Sequence, residues 1–124
     1  MSETYDLYQE GRRYLRAGRP EEATRPLEQA KEREPRSRSI REALGIAYFR
    51  TRRWREAEAE FRVLAELSPD DEFAHYALGR ALSIQGREQE ARRHLKLAGA
   101  LRGTPRSIGL ELEPEADDEG GDGS

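Results

Sequence analysis

The stretch that decides the fold is Leu44-Gly45-Ile46-Ala47-Tyr48, followed by Ala57-Glu58-Ala59-Glu60-Phe61 and closed by Leu67-Ser68-Pro69. Read alone, it is two short amphipathic helices with a turn at Thr51-Arg52-Arg53-Trp54. Read against the rest of the chain, it is the middle copy of three. Glycines stand at 11, 45 and 79, alanines at 23, 57 and 91, and bulky apolar residues at Leu27, Phe61 and Leu95, each 34 positions from the next. Tyr14, Tyr48 and Leu82 keep the same spacing. Leu7, Arg41 and His75 form a looser register, and Pro35 and Pro69 close the first two units. A fixed period of this length is the mark of stacked supersecondary units, each too small to bury its apolar face alone.

Each unit predicts two helices. The first helices fall at about 4–17, 38–51 and 71–85, the second at about 20–33, 54–67 and 88–101. Pro20 suits a first helical position, where its missing N–H is no loss, and Glu21 and Glu22 suit the positive end of the helix. Pro26 falls inside the same helix and predicts a kink. Ser68 and Asp71 have the spacing of a capping box, with Asp in place of Glu. A glycine inside a helix costs about 1 kcal/mol relative to alanine, so three at one register mean that the missing side chain is used. Close approach of the paired helix is the simplest use, with Ala23, Ala57 and Ala91 as the matching small surface and the bulky residues filling the space beyond.

These residues resemble the tetratricopeptide repeat family. Its signature runs through Leu44, Gly45, Tyr48, Ala57, Phe61, Ala65 and Pro69 in unit two, and through Leu78, Gly79, Leu82, Ala91, Leu95 and Ala98 in unit three, where Gly103 replaces the closing proline. Unit one carries Leu7, Gly11, Tyr14, Ala23, Leu27, Ala30 and Pro35, with Glu10 before its glycine. The resemblance covers residues 4–105 and implies an all-α solenoid of three helix-turn-helix repeats (4–37, 38–71 and 72–105) in a right-handed superhelix. Residues 106–124 are left as a C-terminal segment ending in a disordered acidic tail.

Composition agrees with a thin, regular core: 35% of residues are hydrophobic and 38% charged. There is no cysteine, which excludes disulfides, thiolate chemistry and cysteine-based zinc sites. The N-terminus lacks the apolar run of a secretory signal, and no stretch has the length of a membrane span, so a cytoplasmic protein is expected. The net charge of −3 is unevenly placed. Residues 111–124 hold seven acidic side chains and no basic one, leaving 22 basic against 18 acidic residues in the rest, or +4. Twenty of the basic residues are arginine, a bias that genome composition alone could produce.

Helical phase separates a packing side from an opposite side in each first helix. The opposite side gives Tyr5, Tyr8, Gln9, Arg12, Leu15 and Arg16; then Ser39, Glu42, Ala43, Ile46, Phe49 and Arg50; then Phe73, Tyr76, Ala77, Arg80, Ser83 and Ile84. In the family it resembles, this side lines the concave surface. Its aromatic and basic character is that of a protein-binding surface. The candidate partner-binding residues are Tyr5, Tyr8, Arg12, Arg16, Phe49, Arg50, Phe73, Tyr76 and Arg80. The competing reading is that Ile46, Phe49, Phe73 and Ile84 pack between neighbouring first helices. Some relatives grip the terminal carboxylates of chaperone tails. The matching positions here are Tyr8, Arg12, Ala43, Phe73 and Ala77, of which only Arg12 has a suitable charge, so that ligand class does not transfer.

The expected function is therefore a protein-interaction module that binds a peptide or helix of an unidentified, acidic partner on its concave face. Neither a catalytic constellation nor a phosphate loop is present in the sequence, so no enzyme activity and no cofactor is expected. His75 and His94 do not form a metal motif; His75 reads as a partly buried spacer and His94 as exposed. Two alternatives stand beside this reading. One is a structural solenoid that associates weakly with itself through the uncovered flank near Leu97, Ala98 and Leu101, unless Ile108, Leu110 and Leu112 fold back over that flank. The other is phosphate binding by the many arginines, disfavoured by interleaved acidic residues. The acidic tail is expected to compete weakly for the basic inner face.

Overall fold

The computed structural model describes residues 2–102 and 110–113. Six helices follow one another: α1 (Glu3–Arg16), α2 (Pro20–Arg33), α3 (Arg38–Arg50), α4 (Trp54–Leu67), α5 (Glu72–Ile84) and α6 (Glu88–Ala100). They pair as α1–α2, α3–α4 and α5–α6 hairpins, and α2 packs on α3 as α4 packs on α5. This is an all-α solenoid of three helix-turn-helix repeats, and each helix lies within about a residue of its predicted span.

The two kinds of helix start differently. First helices are capped by side chains: Ser2 accepts from the Tyr5 N–H, Ser37 from Ile40 and Asp71 from Phe73. Asp71 is thus itself the cap, and the capping box expected from Ser68 is not formed. Ser68 instead lies buried and accepts a hydrogen bond from Arg38 Nη1 at 3.1 Å. The second helices have no side-chain cap. Arginine precedes each of them, at 19, 53 and 87, and pairs with the glutamate three residues on: Glu22, Glu56 and Glu90. Arg19 and Arg53 also stand over the rings of Tyr14 and Tyr48, at 5.4 and 4.6 Å. Part of the arginine bias is therefore architectural, since one arginine per repeat ties the turn to the helix after it.

The turns share one hydrogen-bond scheme. The N–H groups of Arg19, Arg53 and Arg87 donate back to the carbonyls of Tyr14, Tyr48 and Leu82. The residue before each has positive φ: Gly18 at 75°, Arg52 at 67° and Gly86 at 86°. Glycine takes this conformation freely and arginine does not.

The glycine register packs differently from the expected small-on-small contact. A Cβ placed on Gly11 would collide with Leu27, one on Gly45 with Phe61, and one on Gly79 with Leu95, whose Cδ2 would lie 2.6 Å away. The bulky side chain of the second helix thus enters the gap above the glycine of the first. Ala23, Ala57 and Ala91 are fully buried but do not supply the principal contact. Pro26 is buried within α2, which continues through it to Arg33.

Among the described residues, Leu110 and Leu112 do not cover the α6 flank as the sequence suggested. Leu97 remains 41% exposed, whereas Leu110 and Leu112 are buried against the body at 5% and 4%. They lie on the inner face described next. Ile108 and residues 114–124 fall outside the described residues, and with them the expectation of a disordered tail.

Candidate functional site

The first helices carry the inner face, and burial sorts its candidates into two sets. Phe49 and Phe73 are only 3% and 5% exposed. Phe49 packs edge-on against Trp54 with ring centroids 4.9 Å apart, and Phe73 against Phe61 at 5.9 Å. Both anchor the core beneath the surface, as does Leu15. Tyr5 and Tyr76 are exposed, as are Arg16 and Ile84.

At one end of the face, Tyr5 Oη accepts from Gln9 Nε2 at 2.6 Å, and the Arg12 guanidinium stands 5.6 Å from the centre of the Tyr8 ring. Burial pushes the Tyr8 hydroxyl pKa above its ordinary value, against the opposing effects of Arg12 and a hydrogen bond with Ser39. Tyr8 is therefore a neutral phenol at physiological pH. Glu42, the acidic member of the face, is fully buried.

At the other end, Arg80 lies 5.8 Å from the Phe49 ring centre and 6.0 Å from that of Tyr76. Its Nη1 donates to Tyr76 Oη at 3.1 Å and its Nη2 pairs with Glu113 at 2.7 Å. Burial lowers the Arg80 pKa, but Tyr76 and Glu113 outweigh it and leave the charge more secure. Arg50 donates from Nη1 to the Leu15 carbonyl at 2.9 Å and from Nη2 to the Glu111 carbonyl at 2.7 Å. Arg50 and Arg80 thus converge on residues 110–113, with Phe49 and Tyr76 flanking Arg80, while Tyr5, Tyr8, Arg12 and Arg16 form a separate cluster on α1. Phe73 joins neither as a surface group. Glu111 and Glu113 open the acidic tail that the sequence sends to this face, and Glu113 meets Arg80 there. The seating of Leu110 and Leu112 on the same face was not expected, although Leu110-Glu111-Leu112-Glu113 alternates apolar and acidic residues, a two-residue period that gives one side to burial.

Elsewhere the charges satisfy one another. Glu60, buried between helices, accepts from Lys31 and Arg41, each at 2.8 Å. Glu58 takes Arg62 at 2.6 Å and Arg87 at 2.8 Å, and Glu90 takes both arginines at 3.0 and 2.9 Å. Burial would raise the Glu58 pKa, yet bonds from Arg62 and Gln85 and the charge of Arg87 bring it below the ordinary carboxylate value.

The two histidines, separate in sequence, touch. Their rings stack at 5.4 Å with the two Nδ1 atoms 3.2 Å apart. His75 Nε2 lies 2.7 Å from the Pro69 carbonyl, which can only accept, so this nitrogen carries its proton. The two facing Nδ1 atoms share one hydrogen bond between the rings. His94 is half-buried by this contact rather than exposed. Among the described residues, no cluster of three or more His, Cys, Asp or Glu is placed to hold a metal ion, and no helix is long and apolar enough to cross a membrane.

A family model described as tetratricopeptide repeat matches residues 8–72, just over half of the chain. No match was found among curated proteins. Among solved structures, a MamA point mutant superposes with a TM-score of 0.78 at 25% identity, covering 84% of this chain and 76% of that one. YrrB, titled a TPR protein with an unusual peptide-binding site, gives 0.77 at 20% identity over 82% of this chain and 53% of its own. The first TPR of Spaghetti (RPAP3), bound to the HSP90 peptide SRMEEVD, gives 0.76 at 19% identity over 83% and 82%. The last two likenesses are of fold. The chain spans little more than half the length of YrrB and of several MamA structures.

Proposed function

Because the chain belongs to the tetratricopeptide repeat family, we propose that it is a protein-interaction module whose inner face holds a peptide segment of a partner protein. The observation that carries this reading is Arg80. Its guanidinium is held between the Phe49 and Tyr76 rings, tied to Tyr76 Oη, and directed at a carboxylate on the groove side. An arginine fixed in this way needs little further ordering to bind an acidic group, the usual property of an interface anchor. That YrrB is titled with a peptide-binding site, and that the Spaghetti domain is bound to a peptide, supports a peptide ligand here.

An acidic partner fits the basic inner face better than nucleic acid fits the arginines outside it. Arg41, Arg62 and Arg87 already pair with Glu60, Glu58 and Glu90. Self-association through α6 is the second reading, favoured by the exposed Leu97. A test compares proteins captured from native cells by the wild type, by Arg12→Ala/Arg80→Ala, and by Arg92→Ala/Lys96→Ala on the exposed side of α6. At least one specific partner should be lost from the first variant and kept by the second. Retention of every partner by Arg12→Ala/Arg80→Ala would move the site off the inner face.

A further inference from the structure

The inner face is already filled at one end by the chain itself. Along residues 110–113 burial alternates: Leu110 and Leu112 are buried, Glu111 and Glu113 exposed. The segment is not helical and bends at Leu112 and Glu113, and both leucines enter the apolar surface from it. Arg50 holds the residue between them by its carbonyl oxygen, a contact any residue can make. Arg80 holds the carboxylate after the second leucine. Three features are therefore read: two leucine-sized sockets two residues apart, the main chain between them, and an acidic side chain next in line.

We propose that the partner segment is a non-helical peptide of the pattern Leu-x-Leu-acidic, and that Leu110-Glu111-Leu112-Glu113 is a resident occupant which the partner must displace. The inference rests on the inner-face reading above and specifies its ligand. A helical ligand does not fit the same contacts, because residues two apart on a helix point about 200° apart. The resident segment is on the same chain, at an effective concentration on the order of millimolar. An occupant that binds only weakly then still raises the apparent dissociation constant of a competitor about tenfold.

The probe is a fluorescein-labelled peptide with the sequence of residues 106–115, titrated by anisotropy into the full-length chain. Leu110→Ser/Leu112→Ser should bind it about tenfold more tightly than the wild type, by emptying the sockets. Arg80→Gln added to that variant should weaken binding several-fold and flatten its salt dependence. Glu113→Lys, which leaves both leucines in place, should give a smaller gain than the double serine variant and keeps the test open if that variant does not fold. A peptide of the same composition with its two leucines adjacent should bind at least tenfold more weakly. Equal binding by the wild type, the folded serine variant and Glu113→Lys overturns the proposal, as does equal binding of the rearranged peptide. Failure of the folded serine variant to bind the peptide also overturns it, while the capture experiment still decides the inner-face reading. A wild-type dimer in sedimentation equilibrium that the serine variant abolishes overturns it in favour of exchange of the segment between copies.

Discussion

Where the second hairpin has Arg41 bonded to Glu60, the third has His75 bonded to His94, and the two pairs occupy the same register. Both first-helix residues even bond the same upstream feature: Arg41 Nε reaches the Pro35 carbonyl and His75 Nε2 the Pro69 carbonyl. In the first hairpin the corresponding residues are Leu7 and Pro26, which carry no side-chain donor or acceptor. Two further registers divide the hairpins. Gly45 lies under the buried ring of Phe61, Gly79 under the partly exposed Leu95. Arg52 makes the turn that Gly86 makes in the third. One backbone plan thus accepts an ion pair, a histidine pair or an apolar pair at a single position. The plan is held by the glycines and turns, and the pair above them is free to set how each hairpin responds to its surroundings.

The largest difference should appear on removing one acid. Glu60→Ala leaves Arg41 and Lys31 partly buried without their shared carboxylate. A buried ion pair broken on one side costs about 3 kcal/mol or more. Lys31 can move toward water, which places this case near the lower end. His94→Ala removes one hydrogen bond between two rings rather than between charges and should cost about 1 kcal/mol. Urea unfolding of the two variants measures both, and equal losses would mean that the pairs are energetically equivalent despite their chemistry.

Next in size is the glycine contrast. Overfilling a packed core costs about 1–3 kcal/mol, while alanine returns about 1 kcal/mol of helix propensity. Phe61 is fully enclosed and stacked edge-on with Phe73, so it cannot turn away from a new methyl group. Leu95 has solvent on one side. Gly45→Ala should therefore destabilise by about 2 kcal/mol and Gly79→Ala by less than half of that. The reverse order in thermal or urea unfolding would show that Phe61 yields more readily than Leu95.

The turns give a smaller effect of opposite sign. Left-handed backbone at a non-glycine residue costs roughly 1–2 kcal/mol, partly offset by the greater freedom of an unfolded glycine. Arg52→Gly should stabilise the chain by about 0.5 kcal/mol. A loss instead would reveal a contact of the Arg52 side chain stronger than the backbone relief.

These registers also explain what could be read beforehand. The 34-residue spacing located all six helices because one pattern was repeated three times, and the glycines named their own importance. The same spacing links 41 with 75 and 60 with 94, so the histidine contact was latent in the sequence. It stayed unread because two residues nineteen apart are adjacent only after the hairpin closes. Phe49, Phe73 and Tyr76 share a helical phase, yet only Tyr76 remains exposed, since the neighbouring helix and not the phase decides which rings are covered. The seating of Leu110 and Leu112 was less legible still. Their alternation shows that one side wants burial, but the surface that receives it exists only once three repeats are stacked.

The smallest effect is the dependence of the third hairpin on acid. The His94 pKa is lowered first by burial, then by His75, Arg62 and Arg93, with Glu90 acting in the opposite direction. The Pro69 carbonyl faces His75 from the other side and accepts its Nε2–H. A second proton on the pair would set two N–H groups head-on across 3.2 Å. An unfolded histidine titrates near about pH 6.5. Above that value His94 is neutral in both states and its contribution is fully present. As pH falls through about 6.5, the unfolded chain takes up the proton first, so stability drops until His94 protonates in the fold as well. Glu58 and Glu90, with lowered pKa values, act in a separate window. Their stabilisation is present above about pH 4.5 and lost below it. Urea midpoints measured from pH 7.5 to 5 should therefore decline for the wild type and stay flatter for His94→Leu. The transplant His75→Arg/His94→Glu carries the second hairpin's pair into the third, and it should remove the decline that begins near about pH 6.5. If the transplant keeps that decline unchanged, the sensitivity lies outside the histidine pair, and the two hairpins differ in shape but not in their response to protons.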